Sequence, residues 1–310
     1  MKQKILIYTT FILYIICVLS ILTFIVTGRK IDRKSKLMAL KSSFKNEIAI
    51  VNISGPISLN LQPRKIFAYD SGDIVNKLRI LGKKDSVKAI ILRINSPGGS
   101  VAAVQEIYSE VMRLRQKGKI VITSMGDVAA SGGYYVASAC DKIVANPGSI
   151  TGSIGVILQI GNIEELFKKI GVQTVVIKSG KFKDTGTMFR GITEDEKQIF
   201  QELINEAYNQ FINAIVEGRK MEPDNVRKLA DGRIFTGTQA LKSGLIDKLG
   251  NDTDAINLAK ELANISGEPK IITEIDPWDR LLGIFGETKT QTSVQEILNV
   301  RKLRFEYMLE

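Results

Sequence analysis

The sequence predicts an α/β fold with a largely parallel sheet, preceded by one apolar segment long enough to span a bilayer. Two observations carry this. From residue 47 onward, short runs rich in Ile and Val alternate with helical patterns, and strands separated by helices pair in parallel because the chain must cross over between them. Residues 5–28 contain no charged side chain and are dominated by Ile, Leu, Phe, Val and Tyr, about the length needed to cross ~30 Å of hydrocarbon as a helix.

Taken in order, strands are expected over residues 47–53 (EIAIVNI), 89–95 (AIILRIN), 120–125 (IVITSM), 142–145, 155–159 and 174–178 (TVVIK). Helices are expected over residues 74–81, 101–116, 131–139 and 163–170. A long helix starts at Thr193, where Thr193 and Glu196 form a capping-box pattern. Its apolar face runs Phe200, Leu203, Ala207, Phe211, Ala214 and Ile215, and Gly218 is expected to end it. Residues 231–250 read as turn, short strand, helix and turn, closing one domain near residue 265. The expected organisation is an anchor over 1–28, a basic linker over 29–45, one catalytic domain over 46–265 and an extension over 266–310. Within that extension residues 277–286 (PWDRLLGIFG), which hold the only tryptophan, read as a lid or packing segment, with a membrane or subunit contact as the alternative; residues 293–304 read as a helix.

The net charge of +10 is concentrated near one end. Residues 1–45 hold nine Lys/Arg against one Asp, and the rest of the chain is nearly balanced at 34 basic to 32 acidic residues. Such a distribution belongs to the flanks of a membrane segment, and no nucleic-acid partner is expected. A cleavable leader would have a shorter apolar region and a small-residue cleavage site, so an uncleaved, single-pass anchor in the cell membrane is favoured. The basic flank that follows residue 28 would by itself place the body of the protein in the cytoplasm. Cys17 and Cys140 lack metal-ligand spacing and the chain has no histidine, so neither a metal site nor another cofactor is expected.

The missing histidine also decides the chemistry. Residues 128–137 read VAASGGYYVA, a serine at the start of a small-residue helix, and residues 95–100 read NSPGGS after a buried strand. The second turn can aim backbone amides at an acyl oxygen, and Ser131 brings the following amide of Gly132, a combination suited to an oxyanion hole. With no imidazole to take its proton, Ser131 needs a lysine or a carboxylate as base. Lys181 and Lys183 are candidates that periodicity does not separate, since both fall on one side of an extended segment. Tyr134 and Tyr135 are candidates for the groove or for the core.

NSPGGSV, then VAASGGYYVASACDKIVANPGSITGSIGV, then VVIKSGKFKD, then DGRIFTGTQALKSGLIDKLG stand in this order between residues 47 and 250. The series resembles the short form of bacterial signal peptide peptidase A, within the crotonase/caseinolytic-protease-like fold class. The proteolytic subunit of caseinolytic protease shares the first turns but requires a histidine. The resemblance implies a Ser-Lys dyad in which Lys183, in the SGxxK pattern, deprotonates Ser131. The Gly99 and Gly132 amides would hold the oxyanion and Ser153 would orient the lysine. It further implies peptide substrates such as signal-peptide remnants, a catalytic domain on the outer face of the membrane, and a ring-like homo-oligomer in which neighbouring protomers complete each site. Asp184, next to the base, is expected to face away, because a close carboxylate would keep the lysine charged. The alternatives are a membrane protease acting on a stomatin-like partner, an acyl-CoA hydratase or isomerase of the crotonase type, and a non-enzymatic membrane scaffold.

Overall fold

The computed structural model describes residues 13–16, 18–19, 46–59, 71–273 and 306–308. The chain divides into two compact units, residues 1–46 and 47–310. In the first unit residues 13–16, 18 and 19 are helical and exposed. Among the described residues no helix is long and apolar enough to cross a membrane; most of the expected span over 5–28 lies outside them, as do the segments 277–286 and 293–304.

The second unit begins with β1 (Glu47–Ser54), followed by helix α1 (Ser71–Gly82), β2 (Val87–Ser96) and the short β3 (Gly98–Ser100). Then come α2 (Val101–Gln116), β4 (Ile120–Ala130), α3 (Gly132–Ser138), β5 (Lys142–Ala145), β6 (Ile150–Gly152) and α4 (Glu164–Lys169). The remaining elements are α5 (Glu194–Arg219), α6 (Pro223–Leu229), β7 (Ile234–Thr236), α7 (Gly237–Lys242), β8 (Lys248–Leu249), α8 (Asp252–Leu262), β9 (Lys270–Thr273) and β10 (Glu306–Met308).

The main sheet runs β7-β6-β4-β2-β1-β9, with β5 beside β4 and β8 beside β5. Its pairings are parallel except β6 with β7. β9 places residues 270–273 in the same sheet as β1, so the stretch read as an extension after 265 opens with a strand of that sheet.

Because side chains alternate across a strand, the sheet feeds two cores. Val51, Ile53, Ile90, Leu92 and Ile94 pack with Leu78, Val104, Ile107, Tyr134 and Phe211 from the helices on one face. Ile48, Ala89, Ile91, Ile122 and Val144 pack with Ala255 and Ala259 of α8 on the other. Each fully buried Ile or Leu adds about 1.5–3 kcal/mol relative to its exposed state, which is why these β-rich runs are held so firmly.

Three expectations need correction. Residues 155–159 form no strand; the strand is β6, five residues earlier at its start. Residues 174–178 form no strand either and are exposed, because β-branched residues favour a strand only where a neighbour accepts the backbone hydrogen bonds. Gly218 does not end the long helix, which runs through Arg219 and is capped by Lys220 in the left-handed conformation. Gly218 instead lets α5 touch α3, since a Cβ there would stand 1.9 Å from the Ser138 carbonyl oxygen.

Candidate active site

Ser131 sits between β4 and α3 with φ 50° and ψ −117°. A residue with a Cβ pays about 1–3 kcal/mol to hold a conformation so sparsely populated, so the surroundings must impose it. The Ser131 N–H donates to the Gly152 carbonyl at 2.7 Å, and the Tyr135 N–H donates to the Ser131 carbonyl at 2.8 Å. Behind the turn, Gly133 presses on β2, where a Cβ would lie 2.9 Å from the Ser96 carbonyl oxygen. The Tyr134 hydroxyl donates to the Leu245 carbonyl at 2.8 Å. Tyr135 packs edge-on to Tyr108 and against Phe211, so both tyrosines serve the core. The outcome is a strand-turn-helix hinge that fixes a serine, itself only 1% exposed, at the end of a rigid strand.

The sheet register gathers the other predicted groups around it. Ala130 pairs with Gly152 at the ends of β4 and β6, so Ser131 and Ser153 leave adjacent parallel strands at the same level. Ser153 is also left-handed, with φ 48°, and its N–H donates to the Arg233 carbonyl at 2.8 Å. On the opposite side of β4, Ser96 of β2 pairs with Ala129, which brings the glycine turn of β3 alongside. There the Ile57 N–H donates to the Gly98 carbonyl at 2.8 Å and the Ser100 N–H donates to the Ile57 carbonyl at 2.9 Å. Successive backbone groups in a strand point to opposite edges, so the amide and carbonyl of Gly99 face away from Ile57, where β10 pairs antiparallel with β3. Gly132 follows Ser131 directly as the first, buried residue of α3. Ser131, Gly132, Gly99 and Ser153 therefore share one end of the sheet.

Among the described residues no hydrogen bond or ion pair joins Lys183 to them. It is exposed in the turn region 181–186, its backbone N–H donates to the Gly180 carbonyl at 3.2 Å, and no side-chain partner is present among the described residues. Its rival Lys181 forms an ion pair with Asp195 and lies over the Phe182 ring. Asp184 does face other cations: it accepts from Arg190 at 3.0 Å and from Lys178 at 2.5 Å. The Arg190 and Lys178 hydrogen bonds hold its carboxyl well below the usual carboxylate range.

Sequence reasoning missed the cluster that shapes this segment. Arg190 joins Asp184 to Glu196, donating to Glu196 Oε1 at 2.5 Å and Oε2 at 2.9 Å. Glu196 is also the capping-box residue of α5, accepting from the Thr193 N–H at 2.9 Å while its own N–H donates to Thr193 Oγ1. Only the Thr193/Glu196 spacing was readable in advance; the pairing of half-buried Arg190 with buried Glu196 leaves no local signal. The same holds for β10, where only Phe305 and Tyr307 are β-prone. Cys140 is a buried free thiol, raised by burial to about 12, and is chemically inert there. Among the described residues no cluster of His, Cys, Asp or Glu is arranged to hold a metal ion.

Comparison with known proteins gives the family. Residues 113–266 match the model of peptidase family S49, and residues 61–150 match the model of Clp protease, which fits an α/β fold of the caseinolytic-protease/crotonase type. The Synechocystis sp. protein slr0021, which carries the name of a protease, is 39% identical over 261 residues, covering 83% of this chain and 90% of its own. An Enterococcus faecium protein bearing the name signal peptide peptidase SppA is 36% identical over 193 residues, covering 62% of this chain and 56% of its own. The chloroplastic serine protease SPPA of Arabidopsis thaliana is 36% identical over 230 residues, covering 73% of this chain and 34% of its own. The chain belongs to peptidase family S49 and is a serine peptidase of that family.

Proposed function

We propose that this protein is a membrane-anchored endopeptidase of the signal peptide peptidase A type, cutting signal-peptide remnants and other short apolar peptides through Ser131 and Lys183. The observation that carries the reading is the strained, buried turn at Ser131, beside Ser153 and the β3 glycines, in a chain without histidine. Ser131 Oγ attacks the scissile carbonyl and passes its proton to Lys183 Nζ, the general base. The Gly99 and Gly132 amides receive the charge that develops on the carbonyl oxygen. Lys183 then protonates the departing amine, and water, deprotonated by the same lysine, releases the acyl group from Ser131. Ser153 orients the lysine. An anchor over residues 5–28, with the catalytic unit on the outer face, would concentrate the enzyme where apolar peptides collect. The name of the Enterococcus faecium relative supports the same substrate class.

The dyad forms between protomers of a ring-like oligomer, Lys183 of one reaching Ser131 of the next. Supporting this, the exposed arm before Lys183 carries Val175 at 84% and Ile177 at 98% exposure. Thr185 Oγ1, just after Lys183, is buried without a partner among the described residues, a state that costs about 1–3 kcal/mol if nothing completes it.

The test uses the full chain in detergent, with fluorophosphonate labelling and cleavage of an apolar peptide. Ser131→Ala loses labelling and turnover, Lys183→Ala loses turnover, and Lys181→Ala keeps it. Mixing Ser131→Ala with Lys183→Ala subunits restores part of the activity if the dyad spans protomers. A Ser131→Ala enzyme that cleaves as fast as the parent overturns the mechanism.

A further inference from the structure

β4 reaches Ser131 through a break in its register. On the β2 flank Ile94 pairs with Met125 but Ser96 pairs with Ala129, so β4 carries two more residues than β2 across the gap. On the other flank β4 leaves β5 after Met125, beside Ala145, and meets β6 from Val128, beside Ile150. Gly126 and Asp127 thus lie between registers on both flanks, and side chains take over there from the ladder. The Val128 N–H donates to Asn95 Oδ1 at 3.1 Å, and buried Ser149 Oγ donates to the Gly126 carbonyl at 2.6 Å. Asn95 is itself tied down, since its carbonyl accepts from the Gly55 N–H at 2.9 Å. Its side chain lies on Gly126, where a Cβ would stand 3.0 Å from Asn95 Cβ and Cγ. Next along β2, buried Ser96 Oγ accepts from the Gly98 N–H at 3.1 Å.

We propose that Asn95 is a positioning residue for the reaction at Ser131. It acts through Val128 rather than on substrate: its side-chain oxygen stands in for a strand neighbour there and so fixes the two-residue offset of β4. A bulge bends a strand and re-aims the residues after it, and Ser131 follows Val128 by three positions. The offset therefore sets where Ser131 Oγ and the Gly132 amide stand relative to the Gly98–Gly99 turn, which starts from the same end of β2. Neighbouring side chains of β2 serve both halves of the oxyanion site, Ser96 the glycine turn and Asn95 the strand that delivers Ser131. The inference rests on reading Ser131 as the nucleophile and the Gly99 and Gly132 amides as its oxyanion donors. What the place requires is an acceptor: Asp keeps an oxygen there, whereas Leu, of nearly the same shape, has none.

The full chain in detergent is compared with Asn95→Leu and Asn95→Asp by hydrogen–deuterium exchange and by steady-state cleavage of an apolar peptide. In Asn95→Leu the amides of residues 126–131 exchange about tenfold faster while those of α1 keep their protection, so the domain stays folded. Its kcat falls about tenfold or more and KM stays within about twofold, because a displaced nucleophile weakens the transition state without weakening ground-state binding. Asn95→Asp restores the slow exchange. Read at its own pH optimum, where the added charge no longer biases the base, it returns kcat to within about threefold of the parent. Gly126→Ala pushes the same side chain aside from the opposite partner and reproduces the Leu pattern. Parental kcat in Asn95→Leu, or a loss that Asp does not relieve, overturns the proposal. A loss accompanied by faster exchange in α1 makes Asn95 a residue of the fold alone and overturns it too. If exchange follows the acceptor as expected but the parent neither labels with fluorophosphonate nor cleaves, the hold of Asn95 on β4 stands and the peptidase mechanism is what fails.

Discussion

The backbone N–H of Ser131 donates to the carbonyl of Gly152, one residue before Ser153, at 2.7 Å. That bond continues the β4–β6 ladder one step past the strand end and links two serines with φ near +50°. Strain at both positions is held by the sheet, so Ser131, the proposed nucleophile, is held in one conformation before any substrate arrives.

The strain at Ser131 is measurable. Ser131 is the N-cap of α3 with a positive φ; at any N-cap Gly already outranks Ala by up to about 1 kcal/mol. The positive φ adds to that preference, so Ser131→Gly is more stable than Ser131→Ala by about 2 kcal/mol. Urea midpoints of the two inactive variants decide it, and an Ala variant at least as stable as the Gly variant removes the claim of strain.

Gly218 gives the opposite test. In an unobstructed helix interior Gly→Ala stabilises, but a Cβ at 218 would meet the Ser138 carbonyl oxygen at 1.9 Å. Gly218→Ala therefore lowers stability by about 1–3 kcal/mol and lowers activity too, since α3 carries Gly132. A variant that melts at or above the parent temperature contradicts the close contact between α5 and α3.

Glu196 sets an acid limit on stability. Its hydrogen bonds from Arg190 and from the Thr193 amide lower its pKa to about 2 in the folded protein, against about 4.3 in the unfolded chain. A carboxyl lowered on folding stabilises fully above its unfolded value, and that contribution is lost as pH falls through the folded one. The parent should lose stability between about pH 4.5 and pH 2, and Glu196→Gln should lack this component. Parallel urea titrations across that range check it; superimposable pH profiles would falsify the assignment.

Exposed Val175 and Ile177 make no visible contribution to the core. Val175→Glu with Ile177→Glu should leave the melting temperature of the isolated protomer unchanged. It should reduce the sedimenting species in size and turnover by at least about tenfold, because like charges and lost apolar contact both oppose docking. If size and turnover are both kept, the arm is not a protomer contact.

Much of this molecule was legible along the chain. Repeated Ile/Val runs between helical patterns specify a doubly covered parallel sheet because burial of both faces is a local demand on composition, and the Thr193/Glu196 cap is a local hydrogen-bond pattern. The absence of histidine, with VAASGGYYVA and SGKFK in order, narrowed the chemistry to a serine served by a lysine. What only the tertiary structure decided depends on residues distant in sequence. Gly218 is needed by the Ser138 carbonyl, Ser131 is strained because Gly152 sits on the next strand, and residues 174–178 form no strand because, among the described residues, no neighbouring strand takes their backbone. Arg190 joins Asp184 to Glu196, and Tyr307 meets Gly99. A strand propensity is a property of a segment, whereas a partner is a property of the fold.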